Sequence, residues 1–560
     1  HRGPDNSNIF ESKNFLLGHK RLSIIDIDER SNQPFTDGKN FLLYNGEIYN
    51  FHSLKKFINE KYHYNFKTES DTEVLFIGLK LEGLNFIERI DGMYAFCFIS
   101  EDNQMHLARD HFGQKPLFYG INDKHFVVGS ELISLLKIFN RDVLTINSEA
   151  IEGYLQYGAS IAPNTFYTEI LQVIPGEAIT IDLSTYKINK HNLNLLNQLD
   201  SNKTHLKESL TMRVKSCLIS DTPIAFLSSG GIDSSALIKT FQLLKNKQPK
   251  IAIHLNTNED KKGLEIAKKL ETNSLRLKII KPREIDMSNE DEIKLLLGRF
   301  GEPFADSSYF YSEALYSSIP KEYKVIVGGD GADEVFLGYR PKIYLYFSSI
   351  ISSFFSRKTN MLIISYLEKF GKFGIYLSTM FGCKDSIEKI LMGFNSREIK
   401  KIKNDSFSSL NNLDTKSLLR GTEIIDFYDN YLMKRLSNVF LKKSDHASMK
   451  FSKELRSPYL QGKLTEFRKM SNLIDNLIPK FRLKMYLISS LSLFSIFRKK
   501  TGFNILSENF KDIRKKQILS WCSKNKQKIS SIFDYSNFLQ LINSTQKDSY
   551  LYRIQILIVW

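Results

Sequence analysis

Phe226-Leu-Ser-Ser-Gly-Gly-Ile-Asp-Ser-Ser235 is the stretch whose reading decides the fold. The apolar run before it, Pro223-Ile-Ala-Phe-Leu227, suits a short buried strand, and Ala236-Leu-Ile-Lys-Thr-Phe-Gln-Leu-Leu244 beyond it suits an amphipathic helix. A strand that turns through Gly230 and Gly231 into a helix aims unpaired N–H groups and a positive dipole end at whatever lies above the loop. An anion belongs there. No Gly-Lys-Ser/Thr follows, so the loop is not a Walker A motif. The hydroxyls of Ser229, Ser234 and Ser235 are candidate partners for phosphate oxygens, and Asp233 for a divalent cation bridging to pyrophosphate. A plain turn would also use two glycines, and the residues around the pair decide between the two readings.

Downstream, Lys250-Ile-Ala-Ile-His-Leu255, Leu275-Arg-Leu-Lys-Ile-Ile280 and Tyr323-Lys-Val-Ile-Val327 read as strands, separated by helical runs at Leu264 to Leu270 and Ser312 to Ser318. That rhythm predicts an α/β doubly wound parallel sheet with ligands at the carboxyl ends of its strands. The third strand runs into Gly328-Gly-Asp-Gly-Ala-Asp-Glu-Val-Phe-Leu-Gly-Tyr339, where a second catalytic loop is expected.

Ser-Gly-Gly-x-Asp-Ser resembles the pyrophosphate loop of ATP pyrophosphatases, and residues 328–339 resemble the matching loop of the asparagine synthetases within that group. The resemblance implies ATP and Mg²⁺ as cofactors. Ser228, Ser229, Gly230, Gly231, Asp233, Ser234, Leu255, Gly328 and Gly329 would bind ATP and pyrophosphate. Asp233 and Asp333 would hold the metal, and Asp330 would orient the substrate amide or carboxylate. Gly328 stands where a Ser is usual, which removes one hydroxyl contact, and Ser228 where a Leu is usual. Glu302-Pro-Phe-Ala-Asp-Ser-Ser308 matches the segment beside the acceptor carboxylate. Leu441 to Met449 and Glu454 to Leu460 match a helical pair closing the site, with His446 and Ala447 in place of Arg and Met. Glu454 and Arg456 are expected to hold the fold rather than do chemistry. Lys484 matches the lysine that stabilises charge at the α-phosphate, and Arg498-Lys-Lys-Thr-Gly-Phe503 matches a further family motif.

Upstream, short apolar runs at Phe15–His19, Phe41–Tyr44, Met93–Ile99, Met105–Ala108, Phe126–Val128 and Ala178–Asp182 predict strands, with helices near Phe51 to Tyr62 and Thr72 to Glu82. Ser70 and Glu73 form a capping-box pattern at the second helix. Strands with few helices make an α+β layered domain. Polar islands interrupt the strands: His1-Arg-Gly-Pro-Asp5, Arg21 to Asp26, Tyr44-Asn-Gly-Glu-Ile-Tyr-Asn50, Glu69 to Val74 and Ala108 to Leu117. Asn45-Gly46 alone reads as a hairpin turn. Together, and in this order, the islands resemble a class II glutamine amidotransferase domain, which implies an N-terminal-nucleophile-type αββα sandwich over residues 1–185. In that family the Asn45 side chain and Gly46 N–H would be oxyanion donors, catalytic groups of the glutaminase. Arg21 would take the glutamine α-carboxylate and Asp71 its α-ammonium, with Asn45 and Glu47 lining the pocket. The family's nucleophile is an N-terminal Cys. None stands at the start, so the chain as written is not expected to hydrolyse glutamine. Because the pocket residues are present, truncation is the expected reason.

A chain of 560 residues, 42% of them hydrophobic, is long enough for several domains. Its formal charge is +16, but the lysines are scattered, so nucleic acid is not an expected partner. Cys97, Cys217, Cys383 and Cys522 lie far apart, which argues against a zinc site or disulfide framework and fits reducing, cytoplasmic surroundings. The apolar runs Ile343–Phe355 and Met485–Phe497 fall short of the roughly 18 residues of a membrane span. Buried helices are expected there, with membrane-surface contact left open. The polar residues 186–202 read as a linker, 203–515 as the synthetase domain, opened by a helix at Lys203 to Ile219, and 516–560 as a helical tail. The expected function is glutamine-dependent asparagine synthesis through a β-aspartyl-AMP intermediate, ammonia crossing an internal tunnel. Partners would be glutamine or ammonia, and aspartate or another carboxylate acceptor. A homodimer is compatible, though the sequence leaves oligomeric state open. The competing readings are an amidotransferase acting on a sugar uronate or other carboxylate, and a non-catalytic assembly partner.

Overall fold

The computed structural model describes residues 1–121, 125–139, 143–193, 205–244, 250–256, 261–281, 290–339, 341–403, 418–462, 473–497 and 511–560. The motif Arg498 to Phe503 and most of the expected linker lie outside these residues.

The first region is built on a six-stranded antiparallel sheet in the order Ile188–Asn192, Glu177–Asp182, Gln104–Arg109, Gly92–Ile99, Phe41–Ile48, Phe35–Thr36. Side chains alternate between its faces, as the two-residue period of a strand dictates. Phe96 and Phe98 pack with Leu42 and Tyr44 against the helices Phe51–Tyr62 and Asp71–Glu82. Ala95 and Cys97 pack with Leu107, Ile179 and Ile181 toward Leu117, Tyr119 and Val173, around the three-stranded sheet Phe126–Gly129, Phe118–Ile121, Ile170–Gln172. Ser70 caps the second helix by accepting from Glu73 N at 3.3 Å. The capping box stays half closed, because the Glu73 carboxylate accepts from Lys67 N and Thr68 N instead. Asn45 and Gly46 lie within the strand Phe41–Ile48, opposite Ala95 and Tyr94, rather than in a hairpin turn. The strand Ile188–Asn192 falls inside the expected linker; it is an exposed edge strand with no apolar alternation to reveal it.

The second region carries a five-stranded parallel sheet in the order Leu275–Ile280, Lys250–Leu255, Ile224–Leu227, Val325–Val327, Glu454–Arg456. The chain moves outward from Ile224–Leu227 to one edge, then returns to its other side for Val325–Val327. The strand order therefore reverses between those two neighbours, which opens a crevice at their carboxyl ends. The glycine-rich loops leave from that point. The helix leading in spans Leu206–Cys217, shorter at both ends than expected.

Three expectations are corrected. Glu454–Arg456 is a strand and not part of a helical pair; its three residues, of which Glu454 and Arg456 are buried, pair with Val325–Val327, and Pro458 opens a 3₁₀ turn directly after. Three residues are too few to show a period. Residues 516–560 are not a detached tail: Leu551, Ile554 and Ile556 are buried in one core with Tyr154, Phe166 and Phe300. The apolar run at Ile343–Phe355 forms the helix Pro341–Phe354, whose Phe347, Ile350 and Phe354 face solvent instead of a core.

The two regions interlock. Arg2 meets Asp445 at 2.8 Å, and Lys324 meets Asp5 at 2.8 Å. Arg456 donates to Glu47 at 2.7 Å, to Glu454 at 2.9 Å and to the Cys217 and Ile219 carbonyls.

Candidate functional site

The loop after Ile224–Leu227 turns through Gly230, whose φ of +66° lies in the left-handed region. A Cβ there would stand 2.0 Å from the Gly263 carbonyl oxygen, so no other residue fits. Gly231 then caps the helix Ile232–Leu243, directing its N-terminal N–H groups into the crevice. Ser229 and Ser234 hydroxyls lie 3.1 Å apart, and Ser229 Oγ accepts from Gly231 N at 3.2 Å. Ser228 Oγ and Ser235 Oγ are buried without a partner among the described residues. Buried hydroxyls beside a helix N-terminus suit phosphate oxygens. Leu255 is buried at the end of the neighbouring strand.

Gly328 and Gly329 begin the second loop, and a Cβ on Gly329 would stand 3.1 Å from Asp233 Cβ, so the two loops touch there. Gly331, with φ +85°, lets the backbone turn beneath Leu460. Asp330 accepts from Ser444 Oγ at 2.7 Å. Asp333 follows in the helix Ala332–Val335 and faces Asp233 across one ammonium, that of Lys480. Lys480 Nζ lies 2.7 and 2.6 Å from the Asp233 oxygens and 2.6 Å from Asp333 Oδ1. Burial opposes that charge, but Asp233 and Asp333 raise the lysine's pKa above its ordinary value and keep it charged. Sequence reasoning missed Lys480. Lys484, the lysine that the motif suggests, lies one helical turn further on, and its ammonium stands over the Phe497 ring at 4.8 Å. A left-handed backbone at a non-glycine residue, φ +57° at Lys480, is the structural mark of a constrained position, but no sequence pattern announces it.

The residues fit the metal that the motif implies. Mg²⁺ is bound through one or two carboxylates with substrate phosphates completing the shell. Asp233 and Asp333 supply two carboxylates already converged on one positive charge. Among the described residues no three His, Cys, Asp or Glu side chains cluster as an all-protein metal cage.

Around this crevice, Glu302 is buried and joins the two regions, accepting from Ser160 Oγ at 2.6 Å, Phe166 N at 3.0 Å and Lys442 Nζ at 2.5 Å. Asp306 accepts from Ser308 and Lys443. Lys442, Lys443 and Ser444 belong to a helical stretch from Thr422 to Met449 whose Leu436–Leu441 segment is a π-helix. Such wider turns are frequent at functional sites. His446 stacks on Phe300 at 4.3 Å, and burial pushes its pKa down to about 4, so it is neutral at pH 7.

In the first region, Arg21 donates to the Ile25, Asp26 and Asp28 carbonyls and to Asn32 Oδ1, all neutral acceptors. Such a guanidinium has charge to offer an incoming carboxylate. Asp71 accepts from Tyr44 OH at 2.8 Å and Ile48 N at 3.0 Å; burial pushes its pKa up to about 6. Asn45 Nδ2 is buried with no partner among the described residues, as a donor awaiting an oxyanion would be. Glu47 does not stand open to a pocket through both oxygens, since one holds Arg456. Burial pushes the Cys97 and Cys217 thiols up to about 12, which removes both as nucleophiles near neutral pH.

Residues 205–560 match the family model for asparagine synthase, and residues 1–192 match that for a glutamine amidotransferase domain. The chain belongs to the asparagine synthase family. It is 30% identical over 352 residues to glutamine-hydrolyzing asparagine synthetase 1 of Bacillus subtilis, covering 60% of this chain and 54% of that protein. It is 32% identical over 241 residues to asparagine synthetase B of Escherichia coli, covering 42% of this chain and 39% of that one. It is also 30% identical over 251 residues to amidase chry2 of Gibberella zeae, covering 42% and 36% respectively. The chain thus spans about half, or less, of the length of these relatives. Family membership accounts for the pairing of an amidotransferase region with a parallel-sheet region, and the crevice between the two loops is where its chemistry is to be sought.

Proposed function

We propose that the chain activates a carboxylate with ATP and amidates it, aspartate being the acceptor and asparagine the product. The observation that carries this reading is the convergence of Asp233 and Asp333, from adjacent loops at the switch point, on a single cation. An acceptor carboxylate oxygen attacks the α-phosphorus of ATP, the α–β bridging oxygen leaves with pyrophosphate, and β-aspartyl-AMP forms. Ammonia then attacks the acyl carbon and AMP departs. Mg²⁺ held by Asp233 and Asp333 would screen the triphosphate. The N–H groups after Gly231 and the hydroxyls of Ser228, Ser229, Ser234 and Ser235 hold leaving phosphate oxygens, and Lys480 remains beside them as a second positive charge. Asp330, braced by Ser444, orients the acceptor.

Glutamine is the nitrogen source we infer for the whole protein, bound in an N-terminal-nucleophile-type sandwich by Arg21 and Asp71 with Asn45 and Gly46 at the oxyanion. Phe112 packs with Leu436, Leu441 and Leu460, an apolar cluster between the regions that supports a dry passage for ammonia. A second reading keeps the chemistry and changes the acceptor to a sugar uronate or other carboxylate. It is favoured by the helix whose Ser444 meets Asp330: His446 is neutral and Ala447 is apolar, and an acceptor with fewer charges than aspartate needs no guanidinium there.

The test is release of AMP and pyrophosphate by the purified chain with ATP, Mg²⁺ and ammonium, with and without aspartate. Aspartate-dependent AMP with matching asparagine is the expected result. A folded, ATP-binding protein that makes neither would overturn the aspartate assignment and turn the search to other carboxylates.

A further inference from the structure

The helices Pro341–Phe354, Arg357–Leu367 and Gly371–Ser378 have their polarity reversed. Among the described residues the buried positions are mostly small or polar, Ser348, Ser352, Asn360 and Ser378, with Lys342 and the one large apolar side chain Leu345; Ser348 Oγ donates to the Tyr344 carbonyl, and Asn360 Nδ2 donates to the Ser352 carbonyl at 2.9 Å. Apart from Leu345, the large apolar side chains are exposed or half-buried, with Phe354, Leu362 and Phe373 exposed by 79%, 71% and 70%. A surface helix of a water-soluble domain normally shows the opposite arrangement. Contiguous apolar surface of this kind marks an interaction face.

Charge indicates what it meets. The three helices, residues 341–378, carry Arg357, Lys358, Lys369 and Lys372 against one acid, Glu368, a balance of +3 (4 − 1) once the buried Lys342 is set aside. Arg357 is tied to Glu423, whereas Lys358 and Lys369 are exposed, the latter over the Tyr366 ring at 6.0 Å. We propose that this face rests in the headgroup layer of an anionic lipid bilayer, as a non-spanning attachment. Among the described residues no helix is long and apolar enough to cross a membrane. An outward row of Phe, Tyr and Leu fringed by Lys and Arg has the chemistry of the headgroup boundary, where rings enter the acyl edge and ammonium groups reach lipid phosphates. A second copy of the chain is disfavoured, because a two-fold contact through this face would set its excess of Lys and Arg against the same excess on the partner copy.

The test is flotation of the full chain with vesicles of phosphatidylcholine, alone or mixed with phosphatidylglycerol. The chain should float with the mixed vesicles and bind pure phosphatidylcholine about tenfold more weakly. The triple variant Phe354→Ser, Leu362→Ser, Phe373→Ser should lose about a hundredfold in partitioning, as expected from removing three apolar anchors. Lys358→Glu with Lys369→Glu should abolish the preference for the anionic lipid. Urea unfolding of each variant confirms that the exposed changes leave the fold intact. The proposal is overturned if the wild-type chain does not float with anionic vesicles, or if the triple variant floats as well as the wild type. It is also overturned if the wild type self-associates through this face, the triple variant is monomeric, and neither binds lipid.

Discussion

Two buried cations in this molecule each lie between two carboxylates, and they differ in what they can release. Arg456 is 0% exposed and spreads its fork over Glu47, Glu454 and two backbone carbonyls, so four of its five N–H groups are held by protein. Lys480 sets a single ammonium against Asp233 and Asp333, whose side chains are 18% and 14% exposed at the mouth of a crevice. A planar guanidinium held by fixed acceptors is a permanent link between the regions. On the proposed reading, a point charge shared by two hard oxygen ligands would stand where a divalent cation binds and would shift alongside it when one arrives. Burial alone does not separate structural from functional charge; access and donor geometry do.

Cutting the first link should have the largest effect. Arg456→Met leaves Glu47 buried without its paired charge and Glu454 with only Lys115, 3.8 Å away, and should lower the unfolding free energy by about 3–5 kcal/mol, read from urea titration. Added Mg²⁺ should not restore it. Asp71 offers a pH test in the same region. Its pKa is raised by burial from 3.8 to about 6, so its contribution to stability is present below pH 3.8 and is lost as pH rises through about 6. Asp71→Asn should flatten the stability profile in that window by about 3 kcal/mol. For the second link, Lys480→Met should also destabilise, but here millimolar Mg²⁺ should return about 2–3 kcal/mol, the linkage expected when the metal is near a hundred times its dissociation constant. If Mg²⁺ rescues neither variant, or both, the contrast between the two cations fails. Ser70→Ala, which removes only a helix cap, should cost about 1 kcal/mol and sets the scale of an ordinary local change.

The sequence revealed those parts of the structure in which a local pattern carries the physics. Gly230, Gly231 and Asp233 follow a strand and open a helix, and Gly328 to Asp333 repeat the arrangement, so the parallel sheet and its crevice could be anticipated. The helix Phe51–Tyr62 was legible to the residue because its buried Phe51, Leu54 and Ile58 keep helical spacing. What was missed depends on distant contacts. Lys480 reads as any surface lysine until Asp233 and Asp333 are brought to it, and Lys484, nearby in sequence, competes for the same role. Glu302, in the segment expected beside the acceptor, holds Ser160 and Lys442 together, a contact between residues far apart in the chain. The strands Ile188–Asn192 and Glu454–Arg456 are respectively too exposed and too short to show a period. The outward apolar face of Pro341–Phe354 was legible as composition but not as exposure, because an apolar run does not say which side of it will be covered.

The most direct measurement is calorimetric titration of ATP with Mg²⁺ into the full chain and into the double variant Asp233→Asn, Asp333→Asn, with urea unfolding to confirm that both are folded. If these carboxylates carry the metal and the nucleotide, the wild type binds ATP in a Mg²⁺-dependent manner and the double variant loses about a hundredfold or more in affinity, at least ~3 kcal/mol. Unchanged, Mg²⁺-dependent ATP affinity in a folded double variant would contradict the account.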